Sequence, residues 1–273
     1  MKGQEFTEIH STKLCSGGLE GGSAIFEVKY FEKKAYLAQS PQFYKQMMVG
    51  VFERVFEVGK VYRAEPHATT RHLAEYIGLD FEMGFIESVE EIMAMEEAMF
   101  KFVFEHISKS CEKELALFGA KVPSLTKIPR IPFKEAISII EAEHGKEFTR
   151  EGLTPETEKL ICELIEKKYG SELVFITKYP LAERPFYAMP SKEEGESETF
   201  ELLYKGLEIT TGGQRIHEYE MLVKAIESRG MPSEAFESYL MCFKFGMPVH
   251  GGLGIGTERV IKQLLGLSSV QET

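Results

Sequence analysis

The stretch GLDFEMGF, Gly78 to Phe85, alternates strictly. In an extended chain Leu79, Phe81, Met83 and Phe85 point to one side, and Asp80 and Glu82 point to the other. Such a strand needs an apolar cover on one face and carries carboxylates on the second. The segments around it fit the same plan. Residues 25–30 and 34–38 read as a hairpin with a charged turn at Glu32-Lys33. Residues 54–64 and 72–86 read as a strand pair around the polar loop 65–71, with Arg63 and Glu65 on one face. Residues 198–213 read as two strands across a turn at Gly206, which brings Glu201 and Glu208 close on the polar side.

Helical signals fall between these strands. Ser40 is an N-cap and Pro41 suits the first helical position. Ile92, Met95, Met99, Phe102, Val103 and Ile107 recur at helical spacing and predict one long helix over 92–115. Residues 133–169 suggest two helices inserted beside the sheet, and residues 217–227 and 233–243 two more. The chain then runs HGGLGIGTERVIKQLL, a glycine-rich strand leading into a helix. Strands on short turns, interrupted by helices, indicate an α+β fold with an antiparallel sheet flanked by helices.

The polar face carries the functional signal. Arginines and carboxylates recur together on several strands, next to a glycine-rich strand and a helix start. Arginines suit phosphates, and carboxylates suit Mg²⁺ or an ammonium group, so the mixture points to a nucleotide site on the sheet. With 43% hydrophobic and 27% charged residues, the 273-residue chain has an ordinary globular composition, and its net charge of -11 excludes holding nucleic acid by bulk charge alone. No run of about 18 apolar residues occurs, so no membrane span is expected. A polar start without a signal-like segment suggests a cytoplasmic protein. Cys15, Cys111, Cys162 and Cys242 form no Cys-x-x-Cys pair and read as reduced packing thiols rather than zinc ligands. His10, His106 and His144 read as surface or packing residues, and neither His217 nor His250 is assigned a role.

Four stretches carry a resemblance. VGKVYRAEPHATTRHLAEYIGLDFEMGF resembles motif 2 of the class II aminoacyl-tRNA synthetases, and GGLGIGTERVIKQLLGL resembles their motif 3. YLAQSPQFYKQ and GLEITTGGQRIHEYE resemble the aspartyl branch, especially its archaeal-type members. The likeness runs from about Phe6 to the C-terminus. It implies activation of aspartate by ATP to aspartyl-adenylate, then transfer to the 3′ end of tRNA. The tRNA would be tRNA-Asp, alone or together with tRNA-Asn.

The resemblance also implies roles. Arg63 would bind the α-phosphate and the reacting carboxylate. Glu65 would accept from the adenine amino group, and Arg71 and His72 would reach the outer phosphates. Tyr76 would lie against adenine, beside the strand ending in Gly256, and Arg259 would clamp the γ-phosphate or the far side of the ring. Glu201 and Glu208, assisted by Thr211, would hold Mg²⁺. Lys45 and Arg215 would face the aspartate side chain. Asp80 and Glu20 would take its ammonium group, with Gln42 and Thr211 supporting the pocket.

Relative to the family pattern, residues 1–273 correspond to the catalytic domain, with a helical insertion near 125–170. Only the end of motif 1 is present, and the anticodon-reading barrel and the usual C-terminal segment are not. The family implies a homodimer built through motif 1, and the shortened motif weakens that expectation for this chain. Two other readings stand beside the ligase: a free-standing paralogue making asparagine from aspartyl-adenylate and ammonia, and a catalytically silent binding module.

Overall fold

A computed structural model describes residues 1–16, 25–65 and 69–273. Its frame is an eight-stranded sheet in the order β1-β5-β6-β11-β10-β9-β8-β7. The strands are β1 (Thr7–Glu8), β5 (Arg54–Tyr62), β6 (Glu75–Gly84), β7 (Arg130–Pro132), β8 (Leu173–Thr177), β9 (Thr199–Tyr204), β10 (Leu207–Gln214) and β11 (His250–Gly256). A smaller sheet, in the order β2-β4-β3, holds β2 (Leu14–Cys15), β3 (Glu27–Tyr30) and β4 (Lys33–Leu37).

From β5 to β8 the large sheet is antiparallel, as expected, but parallel pairs close both edges, β1 with β5 and β7 with β8. The second pair explains the helical middle. Parallel neighbours cannot be joined by a tight turn and need a crossover. Helices α4 (Phe133–His144) and α5 (Pro155–Tyr169) form that crossover. They bury Phe133, Ile137, Ile140, Ile161 and Ile165 against Val174 and Ile176 of β8. Helix α5 starts with Pro155 in its first turn, behind Thr154, whose side chain accepts from the Thr157 amide.

Helix α2 (Val89–Ser110) covers one face of the central sheet. A reciprocal cap between Ser88 and Glu91 starts it. Its Ile92, Met93, Phe100 and Phe104 pack on Phe81, Met83, Phe200, Leu202, Leu253 and Ile255. The helix ends at Cys111 instead of running to 115, and a short α3 (Glu112–Phe118) follows. Ile107 is the last of its periodic apolar residues to touch the core, and from Ser108 to Glu114 nothing apolar holds the chain to the sheet. Phe85 also departs from expectation. Its φ of 58° breaks the alternation one residue past β6, so its ring is 69% exposed instead of joining Phe81.

The remaining helices are α1 (Gln42–Phe52), α6 (Tyr219–Ser228), α7 (Glu237–Lys244) and α8 (Thr257–Leu265). Helix α1 starts one residue later than expected, with Pro41 as its N-cap and Gln42 as its first residue, and the Ser40 hydroxyl accepts from the Gln42 amide at 3.0 Å. Helices α1, α6 and α7 share a second core around Val49, Leu222, Ile226, Tyr239 and Phe243. Residues 233–236 form a 3-10 turn ahead of α7. All four cysteines are free. Among the described residues no helix is long and apolar enough to cross a membrane.

Candidate active site

Strand alternation places the cleft. Phe81 faces α2 with no exposure, so Asp80 and Glu82 must face the other way. There, β5, β6, β10 and β11 floor a cleft of about 320 Å³ flanked by α1 and the start of α8. Arg63, Glu65, Arg71, His72, Tyr76, Gln42, Lys45, Asp80, Glu208, Thr211, Arg215, Gly256 and Arg259 all line it. Glu20 lies outside the described residues. Glu201 is not part of the lining.

One end of the cleft is a buried ion cluster. Lys45, 1% exposed, donates to Asp80 Oδ2 at 2.9 Å and to the Leu253 carbonyl at 2.8 Å, and lies 3.5 Å from Glu82 Oε2. Arg215 donates through Nε to Glu82 Oε1 at 2.8 Å and stands over the Tyr187 ring. Lys45 and Asp80, assigned by resemblance to opposite ends of a substrate, are therefore paired with each other here. Glu82 is the residue that sequence reasoning left without a role, although the alternation had put it on the correct face. Burial alone would raise its pKa, but Arg215 and Lys45 outweigh burial and hold it below the usual carboxylate range.

His250, also unassigned from sequence, fixes the neighbouring Gln42. Its Nδ1 lies 2.8 Å from the Pro248 carbonyl, which can only accept, so the proton sits on Nδ1. Its Nε2 must then accept from the Gln46 amide nitrogen, 3.0 Å away. That orientation turns the Gln46 oxygen to Tyr239 and Gln42, which both donate to it. Gln42 is thus committed as a donor to Gln46 and keeps its carbonyl oxygen as an acceptor. Burial holds His250 neutral by lowering its pKa to about 4.

The other end gathers cations. Arg259 donates through Nη1 to the Glu208 carboxylate and to the Glu208 carbonyl, both at 2.9 Å, and through Nε to the Arg71 carbonyl at 3.3 Å. Arg71 pairs with Glu158 of α5, and Arg63 stands 5.7 Å from the centre of the Tyr76 ring. Burial and the nearby Arg259 lower the pKa of His72. Burial together with Arg71 and Arg259 does the same to Lys262 on α8. Glu158 and Glu208 offset Arg71 and Arg259 in part, and a polyanion would add further favourable contacts to this group of cations.

Between the two ends lies Arg184, from the segment after β8. Its Nη2 donates to Glu201 Oε1 at 2.8 Å, and its guanidinium stacks 3.8 Å from the Tyr179 ring centre. Tyr179 donates to the other Glu201 oxygen at 2.6 Å. Both Glu201 oxygens are thus engaged, which accounts for its absence from the lining. Burial raises the Glu201 pKa against the pull of Arg184, and the neighbouring Glu208 adds to the rise. Arg184 and Glu158 had no signal in a single sequence, because each comes from a segment far from the motifs whose residues it meets, and Lys262 lies within the glycine-rich motif with nothing to set it apart from a solvated helix lysine.

The glycine-rich strand divides in two. A Cβ on Gly252 would come within 2.2 Å of a Glu82 oxygen, and one on Gly251 within 2.8 Å of the Gly213 carbonyl, so these glycines allow close packing inside the sheet. Gly254 and Gly256 line the cleft, and only this half leaves bare backbone for a flat ligand.

The architecture is thus an antiparallel sheet with α2 on one face and, on the other, a cleft with buried ion pairs at one end and clustered arginines at the other. Residues 1–273 match the family of class II tRNA synthetases (D, K and N), and the chain belongs to that family. It is 50% identical over 269 residues to the aspartate–tRNA(Asp/Asn) ligase of Thermus thermophilus, covering 98% of this chain and 63% of that protein. In structure it is similar to asparaginyl-tRNA synthetase from Pyrococcus horikoshii complexed with asparaginyl-adenylate, with a TM-score of 0.91, 27% identity, and 98% of this chain and 62% of that one covered. Aspartyl tRNA synthetase from Entamoeba histolytica matches with a TM-score of 0.86 and 36% identity, over 99% of this chain and 53% of that one. The chain therefore spans less than two thirds of the length of these relatives.

Proposed function

We propose that residues 1–273 form the catalytic domain of an aspartate–tRNA ligase, which activates aspartate with ATP and passes the aspartyl group to the 3′ end of tRNA. The observation that carries the reading is the pair of buried cations, Lys45 and Arg215, in the same cleft as Arg63, Arg71 and Arg259. Each is paired with a buried acid, Lys45 with Asp80 and Arg215 with Glu82, and a substrate carboxylate would share these cations where a neutral side chain would gain less from them. Asp80 and the Gln42 carbonyl supply acceptors for the α-ammonium group.

In the reaction, an oxygen of the aspartate α-carboxylate bonds to the α-phosphorus of ATP, and the bond to pyrophosphate breaks. No side chain needs to act as a nucleophile, so the protein contributes position and charge. Arg63 holds the α-phosphate and the attacking carboxylate together, with a planar fork that lysine lacks. Arg71, His72 and Arg259 take the outer phosphates, Glu65 reads the adenine amino group, and Tyr76 packs on the base.

Mg²⁺ fits the donor chemistry at Glu208 and Thr211. Among the described residues no group of three His, Cys, Asp or Glu side chains could hold a metal alone, and Mg²⁺ is commonly held by one or two carboxylates together with substrate phosphates. The ion would offset phosphate charge. Glu201, occupied by Arg184 and Tyr179, sits beside that site and shapes its charge.

Exchange of labelled pyrophosphate into ATP should depend on aspartate and not on asparagine; exchange driven by asparagine alone would overturn the reading. Charging of purified tRNA-Asp and tRNA-Asn then defines the acceptor. Arg259→Ala should lower the exchange rate by about 10²–10³ while the thermal midpoint stays near that of the parent, because its partners lie at the surface of the cleft. A parallel collapse of both would make Arg259 a structural residue.

A further inference from the structure

Glu158 lies in the first turn of α5, in the crossover between β7 and β8, about 90 residues from Arg71 in sequence. Its side chain is 7% exposed and touches two parts of the phosphate end at once. Its oxygens accept from Arg71 Nη2 at 2.7 and 2.6 Å. Oxygen Oε2 also accepts from the backbone amide of Glu208 at 3.1 Å. Glu208 stands opposite Leu203 at the last paired position before the β9–β10 register slips past Ile209, and its amide takes a side-chain partner there.

Arg259 closes the figure. It donates to the carbonyl and carboxylate of Glu208 and to the carbonyl of Arg71. Arg71, Glu158, Glu208 and Arg259 thus form a ring of contacts drawn from the loop after β5, the crossover, the bulge in β10 and the start of α8. Of these four residues only Glu158 does not line the cleft. Both Arg71–Glu158 bonds use Nη2, so the donors on Nη1 and Nε are not spent on Glu158, while Arg71 lines the cleft.

We propose that Glu158 is a positioning residue for the nucleotide: it grips one end of the Arg71 guanidinium and the Glu208 amide, so that the other edge of Arg71 is presented to the outer phosphates. The inference rests on the functional reading above for the identity of the polyanion. It requires arginine at position 71. A lysine ammonium bound to Glu158 is a point charge with no second edge, whereas guanidinium serves two anions at once. It also gives the crossover a task, since α5 sets the phosphate end although it supplies no residue to the cleft lining.

The test is a double-mutant cycle on the 273-residue chain, read both as equilibrium ATP binding and as the KM values for ATP and aspartate in pyrophosphate exchange. Glu158→Gln should weaken ATP binding by about tenfold, and change the KM for aspartate by less than about twofold. Because Glu158 acts through Arg71, Glu158→Gln in the Arg71→Ala background should cost less than about twofold more in ATP affinity. Arg71→Lys should resemble Arg71→Ala rather than the parent. Multiplying losses in the double variant, an equal rise in the KM for aspartate, or parent-like ATP binding by Arg71→Lys would each overturn the proposal. If Glu158→Gln fails to fold, Arg71→Lys still decides it. Loss of exchange in the parent with ATP binding intact would instead count against the ligase reading alone and leave the binding cycle readable.

Discussion

The two faces of the central sheet bury carboxylates in opposite ways. On the cleft face, Asp80 and Glu82 are 6% and 0% exposed, yet each meets a cation, Lys45 or Arg215. On the covered face, Glu96 of α2 is also 0% exposed, but among the described residues no cation offsets it. Burial pushes the Glu96 pKa up to about 8, against a small opposing effect of the Thr210 hydroxyl, whereas Glu82 is held below its ordinary range. Equal burial thus gives an ionised acid on one face and a protonated acid on the other. The partner decides, not the depth. The cleft face retains charge that a ligand can use, and the covered face gives it up.

The largest expected effect comes from breaking the charged face. Lys45→Met leaves Asp80 buried without its cation, and removing one partner of a buried pair typically costs about 3–5 kcal/mol. Denaturant unfolding should show that loss, together with loss of aspartate-dependent exchange. Lys45→Met combined with Asp80→Asn should recover much of the stability, because the orphaned charge is gone, yet recover no exchange. If the double variant stays as unstable as the single one, the lysine is structural for a reason other than charge balance. If Lys45→Met unfolds like the parent, the ion cluster is not under the strain that its burial implies.

Local rules made the central strands legible. Alternation in β6 placed Phe81 and Asp80 on the correct faces, and the Gly206 turn paired β9 with β10. Ser40 and Pro41 marked α1 for the same reason, since a cap is a matter of adjacent residues. The edges were not legible. β7 has three residues and β1 has two, too few for a period, and their pairing depends on what the crossovers bring alongside. Phe85 failed because alternation says nothing about where a strand stops. At the site, Lys45, Asp80, Arg215 and Arg259, each named through a motif of neighbouring residues, line the cleft together. Glu158 and Arg184 were not found, because their task lies with residues elsewhere in the chain and only folding brings them there. Glu82 and His250 were visible but without assignment: nothing in sequence distinguishes a buried acid that needs a cation from a solvated one.

The smaller effect tests the covered face. An acid whose folded-state pKa stands near 8, against an ordinary value of 4.5, binds more protons folded than unfolded throughout that interval. Stability must therefore fall as pH rises from about 4.5 toward 8, by about 1.4 kcal/mol for each unit in mid-range. Glu96→Gln keeps the shape and has no proton to lose, so it removes this one slope and leaves those of other groups in place. Between pH 5 and pH 7 the variant should gain about 2–3 kcal/mol relative to the parent, measured as the change in the difference between their unfolding free energies. Aspartate-dependent exchange should stay near the parent level, because Glu96 faces away from the cleft. Parallel pH profiles for parent and variant would mean that Glu96 is ionised in the fold and has found a cation, and the contrast between the two faces would disappear. A gain of the expected size, with exchange preserved, would show that one sheet keeps charge on the face that uses it and discharges the face that does not.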